Sequence, residues 1–373
     1  MKFLHLSDIH LGKALNRLSL MEDQAEILRQ MHTMAARDDV DAVLIAGDVY
    51  NRAQPQPEAI SAFSAFLTDL AALGKPVCVV RGNHDGEAQL SYAEPLLRAQ
   101  GIYLTPPYDG SVRFVDLSDA FGPLRVHLLP YVRPIQVRRA LNDDSISTYE
   151  QAVAAALSRA QLLPEGRNVL VTHQYVTGAQ LSDSEERPVG GLDQVSRQVF
   201  AAFDFVALGH LHRAQTLDGG RIRYSGAPLV YSFDECGQTK SASLVEVGPK
   251  GAPNRFEALE FQPLRRVCVL TGTLEELCAL PRSEDYIQAV LTDAERLLDP
   301  FGALRVNFPN LLALRQSGGA TDGEGGSTIE ETFEPALSPE EHFSRFFEAR
   351  NGVLPSAAQM EWIAQVVREV TNE

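Results

Sequence analysis

The chain has 373 residues, 45% of them hydrophobic, and a formal net charge of −16. That length allows two or three domains with sizeable cores, and no apolar run approaches the roughly 18 residues a membrane-spanning helix requires. So acidic a chain does not draw nucleic acid by its overall charge. The four scattered cysteines, Cys78, Cys236, Cys268 and Cys278, form no Cys-x-x-Cys pair and argue against a disulfide framework or a thiolate zinc site.

In chain order, Lys2 to Leu6 reads as a strand ending at Ser7-Asp-Ile-His10, with no charged-then-apolar leader before it, so a cytoplasmic protein is expected. Leu20 to about Ala36 has helical spacing. Val43 to Ala46 is a short apolar run without alternation, the pattern of a strand covered on both faces, and it ends at Gly47-Asp48. A helix from about Pro57 to Leu73 follows, with Ile60, Phe63, Phe66 and Leu67 along one side. Val77 to Val80 is a strand ending at Arg81-Gly-Asn-His-Asp85. The middle of the chain is Pro-rich and reads as irregular. Asn168 to Thr172 then ends at His173, and Phe205 to Leu208 ends at Gly209-His-Leu-His212. Between these two strands a polar loop, about 178–191, is long enough to cover a site. Arg221 to Glu246 reads as short strands and turns.

A change of composition near Pro263 suggests a small α/β subdomain over 263–315. A Gly-, Ser- and Glu-rich stretch over 316–337 reads as a flexible linker. The tail, 338–373, reads as a helical hairpin. Ser338-Pro-Glu-Glu341 opens its first helix, which carries Phe343, Phe346 and Phe347 on one face, and Met360, Ile363, Val367 and Val370 line its second. Such a short pair cannot bury both stripes alone, so it either folds back on the body of the chain or, the expectation preferred here, docks on a partner helix. No Gly-x-x-x-x-Gly-Lys-Ser/Thr occurs, so no ATP is expected to bind this chain.

The chemistry gathers at the strand ends. Asp8, His10, Asp48, Asn83, His84, His173, His210 and His212 all follow short apolar runs, and ligands collect at that end of an open α/β sheet. Oxygen and imidazole donors without cysteine suit manganese, iron or magnesium, and the imidazoles leave zinc open. Asp8-x-His10 and His210-x-His212 could each share one ion or serve two. Asp48 is the natural bridge, because two divalent ions about 3.7 Å apart repel by roughly 18 kcal/mol at an effective dielectric of 20, so anions must lie between them.

Asp-x-His, Gly-Asp, Gly-Asn-His-Asp, a lone His and Gly-His-x-His, in this order from Asp8 to His212, resemble the calcineurin-like binuclear metallophosphoesterases. The resemblance implies a two-sheet α/β sandwich flanked by helices, with residues 1–262 as the nuclease domain. It places Asp8, His10, Asp48 and His212 on one metal ion and Asp48, Asn83, His173 and His210 on a second. His84 is then a phosphate contact and general acid, oriented by Asp85. Ser7-Asp-Ile-His-Leu-Gly12, Ala207-Leu-Gly-His-Leu-His-Arg213, Tyr224-Ser-Gly-Ala-Pro228 and Ser232-Phe-Asp-Glu235 with Gly237 and Lys240 are similar to the SbcD family, bacterial nuclease subunits. Ile9 and Asn51 stand where that family often has Trp and Asp.

This closer resemblance implies a manganese-dependent exonuclease and endonuclease acting on DNA in repair, recombination and replication, associated with the nucleoid. It also implies a capping subdomain over 263–315, a homodimer within a heterotetramer, and an SbcC-type coiled-coil ATPase held by the C-terminal hairpin. Arg17, Arg52, Arg133, Arg138 and Arg139 are candidate contacts to the phosphate backbone. The competing readings are a phosphatase or phosphodiesterase on a small or protein substrate, and a metal-free scaffold that recruits an ATPase.

Overall fold

A computed structural model describes residues 1–91, 93–180, 194–295, 297–316, 343–344, 347–348 and 354–371. By its contacts the chain divides into two units, Met1–Gly319 and Ala320–Glu373.

The first unit is built on two six-stranded sheets. In one, the strands run in the order Arg255–Glu260, Ser241–Glu246, Lys2–Leu6, Ala42–Ala46, Val77–Val80, Ile102–Leu104, and the last four are mutually parallel. In the other the order is Gln215–Leu217, Ile222–Tyr224, Phe205–Gly209, Arg167–His173, Gly122–Leu128, Arg113–Asp119, with the middle four parallel.

Alternation along a strand sorts its side chains between two layers. In Ala42–Ala46, Ala42, Leu44 and Ala46 pack with Phe3, Cys78, Val80, Val169, Val171, Phe205 and Ala207 between the sheets. Val43 and Ile45 point outward into a cluster with Ile27, Met31, Phe63, Phe66 and Leu70 from the helices Met21–Ala35 and Pro57–Ala72. Both faces are buried, which is why the run shows no hydrophobic alternation. The second sheet is covered in the same way: Leu170, Val206 and Leu208 meet Val137, Val153 and Ala156 from the helices Pro134–Leu141 and Tyr149–Leu157. The result is an α/β sandwich flanked by helices, as the family resemblance implies.

The middle of the chain is not irregular. It holds the strands Ile102–Leu104, Arg113–Asp119 and Gly122–Leu128 and the helices Glu87–Ser91, Glu94–Arg98, Pro134–Leu141 and Tyr149–Leu157. Pro95 and Pro134 belong to this Pro-rich stretch, yet each occupies the first turn of a helix, where proline costs no hydrogen bond. Past Pro263, three parallel strands, Val267–Gly272, Tyr286–Leu291 and Leu311–Gln316, alternate with the helices Leu274–Cys278 and Pro300–Arg305 around Leu277, Ile287, Leu291, Leu304 and Phe308.

In the second unit, Ser356 caps the helix Ala357–Thr371 by accepting the N–H of Gln359 at 3.4 Å. Met360 and Ile363 are half-buried on it and Trp362 is exposed. Of the expected linker over 316–337, Gln316 is the last residue of the strand Leu311–Gln316 and the rest lies outside the described residues, as does most of the expected first helix of the hairpin. No helix among the described residues is long and apolar enough to cross a membrane.

Candidate metal centre

The strands Lys2–Leu6, Ala42–Ala46, Val77–Val80, Arg167–His173 and Phe205–Gly209 deliver their carboxyl ends to one edge of the sandwich. There the two sheets touch: His173 Nδ1 donates to Ala46 O across 2.8 Å. The turns that leave these strands are tight. Asp8, His10 and Asp48 have φ of 52°, 48° and 50°, and His210 has 105°, conformations that cost an L-residue about 1–3 kcal/mol each. A backbone ladder between the turns holds them, with Asp8 N donating to Gly47 O at 3.0 Å and His10 N to Asp48 O at 2.9 Å.

Two glycines of the motifs are required by crowding. A methyl at Gly82 would run into the side chain and backbone of Asp48, and one at Gly209 would meet Ala46 O and lie 2.8 Å from His173 Nδ1.

Asp48, 2% exposed, lies at the middle of what these turns assemble. Its Oδ1 accepts the backbone N–H of His84 at 2.9 Å. Its Oδ2 has Nε2 of His173 at 3.3 Å, of His10 at 3.7 Å and of His84 at 3.9 Å. On one flank His10 Nε2 faces His212 Nε2 at 3.1 Å. On the other, Asn83 Oδ1 lies 3.0 Å from His173 Nε2 and 3.1 Å from His210 Nδ1. Asp8 accepts the His210 N–H on Oδ1 at 2.9 Å, while its buried Oδ2 has no hydrogen-bond partner among the described residues.

The structure thus brings all eight strand-end residues together. Asp8, His10 and His212 converge closely enough to hold an ion, as do Asp8, Asp48 and His173, and His10, Asp48 and His84. Lone pairs outnumber the protons available to satisfy them, and a carboxylate oxygen is buried without a donor. Divalent cations resolve both conditions, so the residues present fit a metal centre.

Residues 1–214 match the calcineurin-like phosphoesterase family, and residues 260–351 match the type 5 capsule protein repressor C-terminal domain. The chain is 31% identical over 323 residues to the D subunit of nuclease SbcCD from Staphylococcus epidermidis, covering 84% of this chain and 85% of that protein. The chain belongs to the SbcD family of calcineurin-like phosphoesterases. Among solved structures it is similar to a dimetal phosphatase from Danio rerio, at 14% identity over 70% of this chain and 98% of that one with a TM-score of 0.41. A protein from Thermus thermophilus aligns with 14% identity over 69% and 98% and a TM-score of 0.40.

The SbcD-family signature that follows the phosphoesterase motifs has a physical role here that spacing alone does not reveal. Glu235, fully buried, accepts from His212 Nδ1 at 2.9 Å and from Lys240 Nζ at 2.6 Å. This fixes the tautomer of His212 and aims its Nε2 at the centre, the usual arrangement behind a ligating imidazole. Gln24, also buried, holds the other flank: its Nε2 donates to His10 O at 2.8 Å and its Oε1 accepts the Gly12 N–H at 3.0 Å.

The expected contact of Asp85 with His84 is not made, and this corrects its role. Asp85 accepts the backbone N–H groups of Gly82, Val49 and Tyr50 at 2.9, 3.2 and 2.8 Å, tying two strand-end turns together. His84 is oriented by its Nδ1, which donates to Asn51 O at 3.1 Å. The acceptor is a backbone carbonyl, so Asn in place of the common Asp leaves the orientation intact.

Of the candidate arginines, Arg138 is committed to Ile146 O, at 3.0 and 2.9 Å, and is structural. Arg17, Arg52, Arg133 and Arg139 are exposed. The expected covering loop falls largely on residues 181–193, outside the described residues.

Burial sets the charge states. It pushes His210 to about 3 and holds His10 and His212 low, so these imidazoles stay neutral, the form that binds metals. Burial opposes the charge on His173 too, but Asp48 beside it prevails and raises it to about 9. Burial lifts Asp8 to about 7, with Asp48 adding to it and His173 opposing.

These shifts fix a sign for the metal-free protein. Five imidazoles, His5, His10, His127, His210 and His212, take up protons near pH 6.5 when unfolded but resist them when folded, so the unfolded state is increasingly favoured as pH falls. Asp8 and Asp85, raised to about 7 and about 6, act oppositely but are two against five. Stability in EDTA is therefore expected to rise from pH 4 to about 6.5 and then to decline as Asp8 and His173 lose protons that the folded state prefers to keep. Thermal unfolding across about pH 4 to 9 checks this; a midpoint that falls between about pH 4 and 6 would contradict it.

Proposed function

We propose that this chain is the metal-dependent nuclease subunit of an end-processing complex. It hydrolyses DNA phosphodiesters as an exonuclease and a hairpin or single-strand endonuclease, together with an SMC-like, SbcC-type coiled-coil ATPase. The observation that carries the reading is the ring of three imidazole Nε2 atoms around one buried carboxylate oxygen, Asp48 Oδ2, at 3.3 to 3.9 Å. Family membership supplies the substrate class and the partner.

Asp8, His10, Asp48 and His212 hold one ion and Asp48, Asn83, His173 and His210 the other, with manganese as the native metal. Bound there, two divalent cations supply Lewis acidity toward a phosphate oxygen and lower the pKa of water. Asp48 offsets part of their mutual repulsion. Glu235 and Ala46 O fix the imidazoles of His212 and His173 with Nε2 inward. His84 presents Nε2 to the centre and its side chain is 31% exposed, so it can reach a phosphate oxygen or protonate the departing one.

The organisation proposed is a nuclease domain over 1–262, a cap over 263–315, a linker over 316–337 and a partner-docking hairpin over 338–373, in a homodimer within a heterotetramer in the nucleoid-associated cytoplasm. The test is digestion of end-labelled duplex DNA in manganese or magnesium, with and without the ATPase, beside a small aryl phosphodiester. Manganese-dependent cleavage of the duplex that the ATPase stimulates is expected. Hydrolysis of the aryl substrate with no cut in DNA under any condition would favour a small-substrate phosphodiesterase.

A further inference from the structure

Beside the centre lies a cation that the two-ion chemistry does not use. Lys13 follows the His10-Leu-Gly turn, and its backbone is fixed at both ends, N–H to His10 O at 2.9 Å and O to Leu20 N at 3.2 Å. Its half-buried side chain runs over the face of Tyr231, with Nζ 5.1 Å from the ring centroid. Tyr231 is itself fully built in. Its hydroxyl donates to Ile9 O and accepts from Gln24 Nε2 at 3.3 Å, and its ring meets the edges of His10 and His212 at 5.6 and 5.8 Å.

The ring therefore serves as a platform that carries the ammonium along the His10–His212 flank. There its charge bears on both imidazoles and on Asp8, Asp48 and Glu235. Burial disfavours the ammonium and these carboxylates favour it. Yet Lys13 Nζ makes no hydrogen bond to any described residue, so its donors are open to a ligand on the side away from the Tyr231 ring. Lys240, by contrast, uses its own on His212 O, Glu235 and Gln238 at 3.1, 2.6 and 3.0 Å.

Resting on the nuclease reading, we propose that Lys13 is a specificity-determining residue that binds a non-scissile phosphate next to the one being cut. The scissile phosphate faces the metal-binding side chains and His84. An ammonium set to one side of that group, on a rigid platform, has a ligand only if the substrate carries a second phosphate along the same strand. A mononuclear phosphodiester leaves it unfilled. Lys13 thereby favours polynucleotides over single phosphodiesters through binding, not through the chemical step.

The experiment compares wild type, Lys13→Met and Lys13→Arg on a short single-stranded oligonucleotide and on bis(p-nitrophenyl) phosphate, in manganese. For Lys13→Met the ratio of kcat/KM, oligonucleotide over aryl diester, is expected to fall about tenfold, the size of one charge-assisted hydrogen bond. The loss should lie in KM, and the salt dependence of oligonucleotide binding should flatten by about one phosphate contact. Lys13→Arg should recover most of the ratio. Equal losses on both substrates in Lys13→Met would mark a structural role and overturn the proposal, as would an unchanged ratio. A wild type that hydrolyses the aryl diester but no oligonucleotide would instead refute the nuclease reading on which the proposal rests.

Discussion

Asp48→Asn should lower cleavage by at least about a thousandfold and reduce bound metal below two ions per chain. Asp48 Oδ2 is the one carboxylate oxygen ringed by His10, His84 and His173, and two of the three groupings able to hold an ion include this residue. An amide keeps the shape and the Oδ1 acceptor for the His84 N–H but removes the charge that lets two divalent ions sit side by side. Losing about 4 kcal/mol of transition-state stabilisation corresponds to that thousandfold effect. Metal analysis by mass spectrometry and single-turnover cleavage in manganese measure the two consequences. Retention of two tightly bound ions together with the wild-type rate would remove Asp48 from the centre of the mechanism.

The second large effect separates chemistry from metal binding. His84→Ser should cut the rate by about 10²- to 10⁴-fold, the usual weight of a general acid, while metal content and thermal midpoint stay at wild-type values. The geometry argues for this split. His84 is the most open imidazole around Asp48, with 31% of its side chain exposed, against 2% for His10 and 0% for His173. Its Nδ1 is anchored to Asn51 O, and its ring packs edge-on to His10 with centroids 4.9 Å apart. Because His84 Nε2 also converges with His10 and Asp48, metal content decides its role. Loss of an ion in parallel with activity would make His84 a ligand, and undiminished cleavage would deny it any part.

The candidate centre is legible in the sequence because each of its parts ends a short apolar run. Val43 to Ala46 needs no partner to be recognised as a buried strand, and an Asp or His directly beyond such a run is conspicuous in one dimension. The hairpin Arg113–Leu128 and the helices Pro134–Leu141 and Tyr149–Leu157 are not legible, since the hairpin strands are broken by charged residues, Pro123 and Pro134 interrupt the pattern, and the apolar run of Tyr149–Leu157 is mostly alanine and shows no stripe. For Asp85, adjacency in sequence to His84 suggests a contact that folding does not make. Its carboxylate turns the other way, toward three backbone N–H groups. Gln24 and Lys13 are invisible as functional groups in one dimension, and Glu235 is marked only by the family signature without its role, because no local pattern distinguishes a buried polar side chain from an exposed one.

The order of motifs along the chain determined by itself the candidate donors and the fold class, since strand-forming runs and metal-binding side chains are properties of neighbouring residues. Which nitrogen of each imidazole faces inward was decided only in three dimensions. His212 is set by Glu235, 23 residues away, and His173 by Ala46 O, 127 residues away, across the junction of two sheets. Proton placement depends on the partner at the far side of each ring, and that partner arrives through folding.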